Sequence, residues 1–211
     1  ASFASMSDIA LAVLGGNLKR RELLSARLGD IHSQLFIACA ILKYHSAHPR
    51  TRAEDVHAEY AITTALNKAQ QALIEFADNF PVGWVAKLVR LITLPFGKIV
   101  LKPSDDLTRE LGDLMLEDNP VRQHLAQYVY VSHEHDDAAG RVESTYQMLL
   151  ALGPLWTTWL KNQNKLSGAN MTEKLQDAVS KNIIQPQDVT RLLEYDARRF
   201  DCILTDAFEK L

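Results

Sequence analysis

Residues 21–49 read RELLSARLGDIHSQLFIACAILKYHSAHP, and within them Leu24, Leu28, Ile31, Leu35, Ala38 and Leu42 step by four, three, four, three, four. That period, held for about five turns, is an apolar stripe along one face of a helix. Pro49 ends it, because proline disfavours helical geometry in the residue before it. The following stretch keeps the same spacing through Ile62, Leu66, Ala69, Leu73, Phe76 and Phe80. Asp55 supplies a favourable charge near its start, and Pro81 closes it. Two long helices separated by roughly ten residues predict an antiparallel hairpin, the seed of a bundle.

Outward from this hairpin the helical spacing continues in shorter pieces, at about 104–117, 120–131, 137–152 and 170–182. A last helix is expected from Pro186, a favoured first-turn proline, to about Phe208. Its core face would be Val189, Leu192, Leu193, Phe200, Ile203, Leu204 and Ala207. Gly15-Gly16-Asn17 follows an apolar helical run and reads as its C-terminal cap. Trp156 and Trp159, three apart, share a face and are expected to anchor a core. No Asn-Gly turn and no sustained period-two alternation occurs. The fold class is therefore all-α, a helical bundle with two long antiparallel N-terminal helices and several shorter helices.

The chain has 211 residues, 47% of them apolar, with a formal net charge of -3. That length suits a single domain spanning 1–211 and needs no disulfide or metal to stabilise it. Cys39 and Cys202 have no CxxC or Cys/His spacing, which excludes a disulfide framework and a cysteine zinc site and fits a reducing compartment. Without a basic excess, nucleic acid is not an expected partner. No long uninterrupted apolar run predicts a membrane span. The sequence opens Ala-Ser-Phe, without an initiator methionine, and reads as a piece of a longer chain.

One segment departs from the rest. Residues 81–102, PVGWVAKLVRLITLPFGKIVLK, hold Lys87, Arg90, Lys98 and Lys102 and no acid. On a helical wheel Trp84, Val85, Leu88, Val89, Leu91 and Ile92 fall on one side, with Lys87 and Arg90 on the other. Pro95 and Gly97 stop the helix after about three turns. A tryptophan, branched aliphatics and only basic charge describe an interfacial membrane helix. The same pattern suits a core helix whose lysines point outward, or a homodimer contact. The residues expected to meet a membrane or partner are Trp84, Lys87, Leu88, Arg90, Leu91 and Lys98.

Candidate chemistry is sparse. In Ser132-His133-Glu134-His135-Asp136-Asp137 the two histidines diverge on a helix, and no HExxH accompanies them, so the run reads as a link with Asp136 or Asp137 capping the next helix. His32, His45 and His48 have no cysteine or serine at a telling spacing. Lys19, Arg20 and Arg21 read as a solvated helix start. No phosphate-cradling glycine motif and no nucleophile elbow occurs. The residues by themselves give no catalytic, cofactor-binding or metal-binding group.

The run Leu14-Gly15-Gly16-Asn17-Leu18-Lys19-Arg20-Arg21-Glu22-Leu23-Leu24-Ser25-Ala26-Arg27-Leu28-Gly29-Asp30 resembles the C-terminal extension of bacterial long-chain acyl-CoA dehydrogenases of the FadE type. Pro81-Val82-Gly83-Trp84, Pro103-Ser104-Asp105-Asp106 and Gly140-Arg141-Val142-Glu143 are similar to the same family, and the resemblance covers essentially the whole chain. It implies a parent flavoenzyme of fatty-acid β-oxidation that converts acyl-CoA to 2-enoyl-CoA, with FAD as hydride acceptor. It also implies that flavin and substrate sites lie in preceding catalytic domains, which are then this domain's partners. No catalytic role passes to Glu22, Glu75 or Glu143. By analogy with long-chain relatives, the extension is expected to dock peripherally on an anionic membrane, at the cytoplasmic inner leaflet, and to contribute to a homodimer.

Overall fold

A computed structural model describes residues 1–132 and 137–204. Among them the regular structure is helical, with no strand. The helices are α1 (Ser2–Leu14), α2 (Glu22–Ala47), α3 (Arg52–Asp78), α4 (Gly83–Thr93), α5 (Asp105–Leu116), α6 (Pro120–Ala126), α7 (Ala138–Leu152), α8 (Pro154–Asn162), α9 (Met171–Ser180) and α10 (Pro186–Asp201). They form two compact units, Ala1–Arg122 and Gln123–Leu211.

The first unit is built on the expected hairpin of α2 and α3. The link between them, His48–Thr51, is shorter than the sequence suggested, because Thr51 caps α3 by accepting a hydrogen bond from the Glu54 amide at 3.2 Å. At this end His45 Nε2 meets Asp55 Oδ1 at 2.8 Å and joins the two helices. The seam differs from the expected stripe in one respect. Leu24, Ile31 and Ala38 are buried, Leu28 and Leu35 are half-buried, and Leu42 is exposed. The buried positions recur every seven residues, and half-buried His45 continues the line. Leu28, Leu35 and Leu42 form a parallel line four residues on; the first two pack against the cluster of Phe76 and Val89, and Leu42 lies past it. In α3 the matching heptad is Ala58, Ala65 and Ala72, all buried, and small enough for two long helices to approach closely.

α1 ends at Gly15, whose φ of +50° suits a residue without Cβ. It packs with α4 beside the hairpin. Met6, Ala10, Leu24, Ile31, Phe76, Phe80, Val85 and Val89 belong to one buried cluster. Ser104 caps α5, which lies against α3. There Arg52 donates to both carboxylate oxygens of Glu110, at 2.6 and 2.5 Å, and these bonds hold the Glu110 carboxyl below its ordinary range.

The second unit has its own core of Leu152, Trp159, Leu166, Leu175, Ala178, Ile184, Leu192 and Tyr195. Asp137 caps α7 by accepting from the Gly140 amide at 3.1 Å, as expected of one of the two aspartates. Trp159 is buried and half-buried Trp156 meets Tyr195 edge-on at 4.7 Å, so the tryptophan pair does anchor this core. Burial raises the Tyr195 phenol above its usual value. On α10, Leu192 is buried and Val189 and Leu193 are partly buried, but Phe200, Ile203 and Leu204 are exposed, which corrects the expected core face. α10 stops at Asp201, so Ile203 and Leu204 lie beyond it, and Phe200 sits in its last turn, past its last buried residue, Tyr195. α6 likewise ends at Ala126, short of the expected 131. Ala207, His133 and His135 lie outside the described residues.

Candidate functional site

The segment singled out by its charge forms α4 and the stretch after it. α4 begins beyond Pro81, where Val82 is extended, and runs three turns. Val85 and Val89 are fully buried in the cluster with Met6, Ala10, Phe76 and Phe80. Each contributes about 1.5–3 kcal/mol by leaving water, as an upper estimate, and together they fix the helix to its unit. Thr93 is buried behind them and donates to the Val89 carbonyl at 2.6 Å, while Ser2 of α1 donates to the Thr93 carbonyl at 3.1 Å.

This anchoring divides the apolar face that the wheel had drawn as one. Trp84, Leu88, Leu91 and Ile92 lie on an adjacent arc of about 100° and point away from the core. Trp84 is 71% exposed, Leu91 68%, Ile92 51% and Leu88 41%. An exposed tryptophan beside three exposed aliphatics on one helix is a contiguous apolar strip of the kind that marks an interaction surface.

The cations are arranged unequally. Lys87 borders the strip and is exposed, as are Lys98 and Lys102 beyond the helix, and none of the three forms an ion pair with a described residue. Arg90 differs: its Nη1 meets Asp78 Oδ1 of α3 at 2.5 Å, so its charge is shared with a carboxylate of the same unit. The sequence showed four basic residues and no acid across 81–102; the fold brings one acid in from outside.

After α4 the chain turns at Leu94–Gly97, where the Gly97 amide donates to the Leu94 carbonyl at 3.0 Å and φ at Gly97 is +70°. It then continues without regular secondary structure to Pro103, gripped from the side by α3. Gln70, a buried amide, accepts at Oε1 from the Ile99 and Val100 amides (2.7 and 2.9 Å) and donates through Nε2 to the Val100 carbonyl at 2.9 Å. Asn67 donates to the same carbonyl, also at 2.9 Å. Buried polar groups need partners, and here helix side chains and irregular backbone satisfy each other. Gln70 and Asn67 are site-positioning residues that sequence reasoning missed. The only signal was a pair of amides three apart on a helix that carries many other polar residues.

The remaining candidates sit elsewhere. His32 is exposed and stacks on Phe3, with ring centroids 5.7 Å apart. His48 stacks on Tyr44 at 4.0 Å. Lys19, Arg20 and Arg21 are exposed at the start of α2, as expected. Glu75 pairs with Arg27 at 3.7 Å, in the first unit, and Glu143 lies on α7 in the second. Among the described residues no three metal-ligating side chains converge.

Flavin chemistry requires a dry slot with donors aimed at the edge of a planar ring system. Three concavities among the described residues are open, and each has charged side chains in its lining. One of about 440 Å³ is walled by Arg20, Arg21, Glu22 and Arg27. Another, of about 320 Å³, has Asp30, Lys68 and Glu75 along it, and a third, of about 460 Å³ in the second unit, has Trp156, Lys174 and Arg199. These linings do not fit an isoalloxazine.

No described helix is long and apolar enough to cross a membrane. No solved structure matches the chain. A family model for the acyl-CoA dehydrogenase C-terminal domain, bacterial type, matches residues 1–208 and so runs through both units and the whole of α4. The chain belongs to the bacterial-type acyl-CoA dehydrogenase C-terminal family.

Proposed function

We propose that the two units act as one non-catalytic C-terminal domain that holds a flavin-dependent dehydrogenase at an anionic membrane surface. In this reading FAD and the acyl-CoA thioester are bound by preceding catalytic domains, which oxidise acyl-CoA to 2-enoyl-CoA. The domain packs on those domains and docks the enzyme on the cytoplasmic leaflet. Long acyl chains partition into bilayers, so an enzyme held there meets its substrate where the substrate collects.

The observation that carries the reading is the exposed strip of Trp84, Leu88, Leu91 and Ile92 bordered by the unpaired Lys87, with Lys98 beyond it. Trp84 suits the headgroup level, and the aliphatics suit the acyl boundary. Each free lysine near an anionic leaflet contributes about 1 kcal/mol, and the strip adds apolar area at about 25 cal/mol per Å². Arg90 contributes less than the lysines because Asp78 already partners it. Sums of this size give reversible attachment.

Flotation of the full-length protein with phosphatidylglycerol-containing and neutral phosphatidylcholine vesicles, at low and high salt, tests this. The wild type should float only with anionic vesicles at low salt. Lys87→Ala/Lys98→Ala should weaken flotation, and Leu88→Asp/Leu91→Asp, with helix content intact by circular dichroism, should abolish it. A folded protein that stays in solution under every condition overturns the reading. Dimers that form with concentration and ignore lipid would reassign the strip to a homodimer contact.

A further inference from the structure

The stretch after α4 carries more exposed apolar surface than a connecting segment needs. Phe96 at the turn is 84% exposed, Leu101 is 75% and Ile99 is 66%. Lys98 and Lys102 alternate with them, and both are exposed. A loop free to move would fold such side chains onto its own protein, since apolar area leaves water wherever it can. This one is prevented from doing so. With the Ile99 and Val100 amides and the Val100 carbonyl all held by Gln70 and Asn67, the backbone cannot roll about its axis. Half-buried Val100 sits at this clasp, and its neighbours Ile99 and Leu101 are left exposed on either side of it.

We propose that Phe96, Ile99 and Leu101 form a second lipid-inserting element beside α4, and that Gln70 positions it by clasping the backbone of Ile99 and Val100. The proposal rests on the membrane reading above and adds its second half: the occupant is an anionic bilayer, met by a helix and by a clasped loop. Charge complementarity selects that occupant. Lys98 lies between Phe96 and Ile99 and Lys102 follows Leu101, so exposed cations that can reach headgroups are interleaved with the apolar side chains, and no acid lies on the stretch. The turn at Leu94–Gly97 carries Phe96 at its tip. Gln70 is a positioning residue; it touches no lipid.

The test is vesicle partitioning of the full-length protein, with 30% phosphatidylglycerol vesicles as the probe. Three variants are compared: Leu88→Asp/Leu91→Asp, Phe96→Ser/Ile99→Ser/Leu101→Ser, and Gln70→Ala. Loss of three apolar contacts should lower the partition coefficient of the loop variant on the order of tenfold or more, while its salt dependence, set by the unchanged lysines, stays the same. Gln70→Ala should lower partitioning too. It should also speed hydrogen exchange at the Ile99 and Val100 amides while the interior amides of α3 stay protected, a pattern that general unfolding does not give. Wild-type partitioning by the loop variant, with loss in the helix variant, overturns this proposal and leaves the helix reading standing. If the wild type itself does not partition, the membrane reading fails and this proposal fails with it. If the loop variant instead loses a lipid-independent dimer, the stretch is a protein contact and the proposal is overturned.

Discussion

At Gly168 the chain carries φ of +146°, and a Cβ there would lie 2.7 Å from the Lys174 amide nitrogen and 2.8 Å from Glu173 Cβ. Both neighbours are fixed, because Glu173 accepts from the Ala169 amide at 2.8 Å and its own amide donates to the Asn170 cap at 2.9 Å. Gly168→Ala should therefore destabilise the second unit by about 1–3 kcal/mol, read as a lowered unfolding midpoint of that unit. Single residues of this kind were only partly legible. Gly15 could be placed as a cap because an apolar run ended there, whereas Gly168 depends on how closely a loop approaches the start of α9. Gln70 was illegible for the same reason: nothing local distinguishes an amide that faces water from one that clasps a chain thirty residues later.

Elements were more legible than the faces they bury. The periods of α2, α3, α5, α7, α9 and α10 placed those helices, and Pro95 with Gly97 marked the end of α4. Which part of the α4 apolar arc is covered depends on how α1 and α3 cross it, and tertiary packing of that sort leaves no trace in a wheel. The outcome separates adjacent residues sharply. Val89→Asp puts a charge in the core and should cost about 3–5 kcal/mol, whereas Leu88→Asp/Leu91→Asp should cost within about 1 kcal/mol. Urea denaturation of the three proteins checks the contrast. Equal losses would mean that Leu88 and Leu91 are buried in the protein and unavailable to a partner. The α2 seam makes the same point, since Leu28, Leu35 and Leu42 share one line on a wheel and only the first two are covered by the neighbouring core.

Over the whole molecule, all-α class and family were readable, and the division into two units was not. The boundary at Arg122 and Gln123 falls inside α6, where no glycine-rich linker announces it. Each unit instead declares itself by its core, one centred on Phe76 and Val89, the other on Trp159 and Leu192. Charge is also unevenly shared: residues 81–102 are wholly basic within a chain of net charge -3, so the remainder is correspondingly acidic. The basic stretch is the part of the chain that an anionic surface would attract.

The central claim, that the α4 strip faces lipid, is tested most directly by Trp84 itself. The difference in emission between the full-length protein and its Trp84→Phe variant isolates that side chain from Trp156 and Trp159. The account predicts a Trp84 signal that is water-like and open to aqueous acrylamide without vesicles. With phosphatidylglycerol-containing vesicles it should shift to the blue and become shielded, and high salt should reverse both changes. A Trp84 signal unmoved by saturating vesicles, or one already shielded in their absence and dependent on protein concentration, would contradict it.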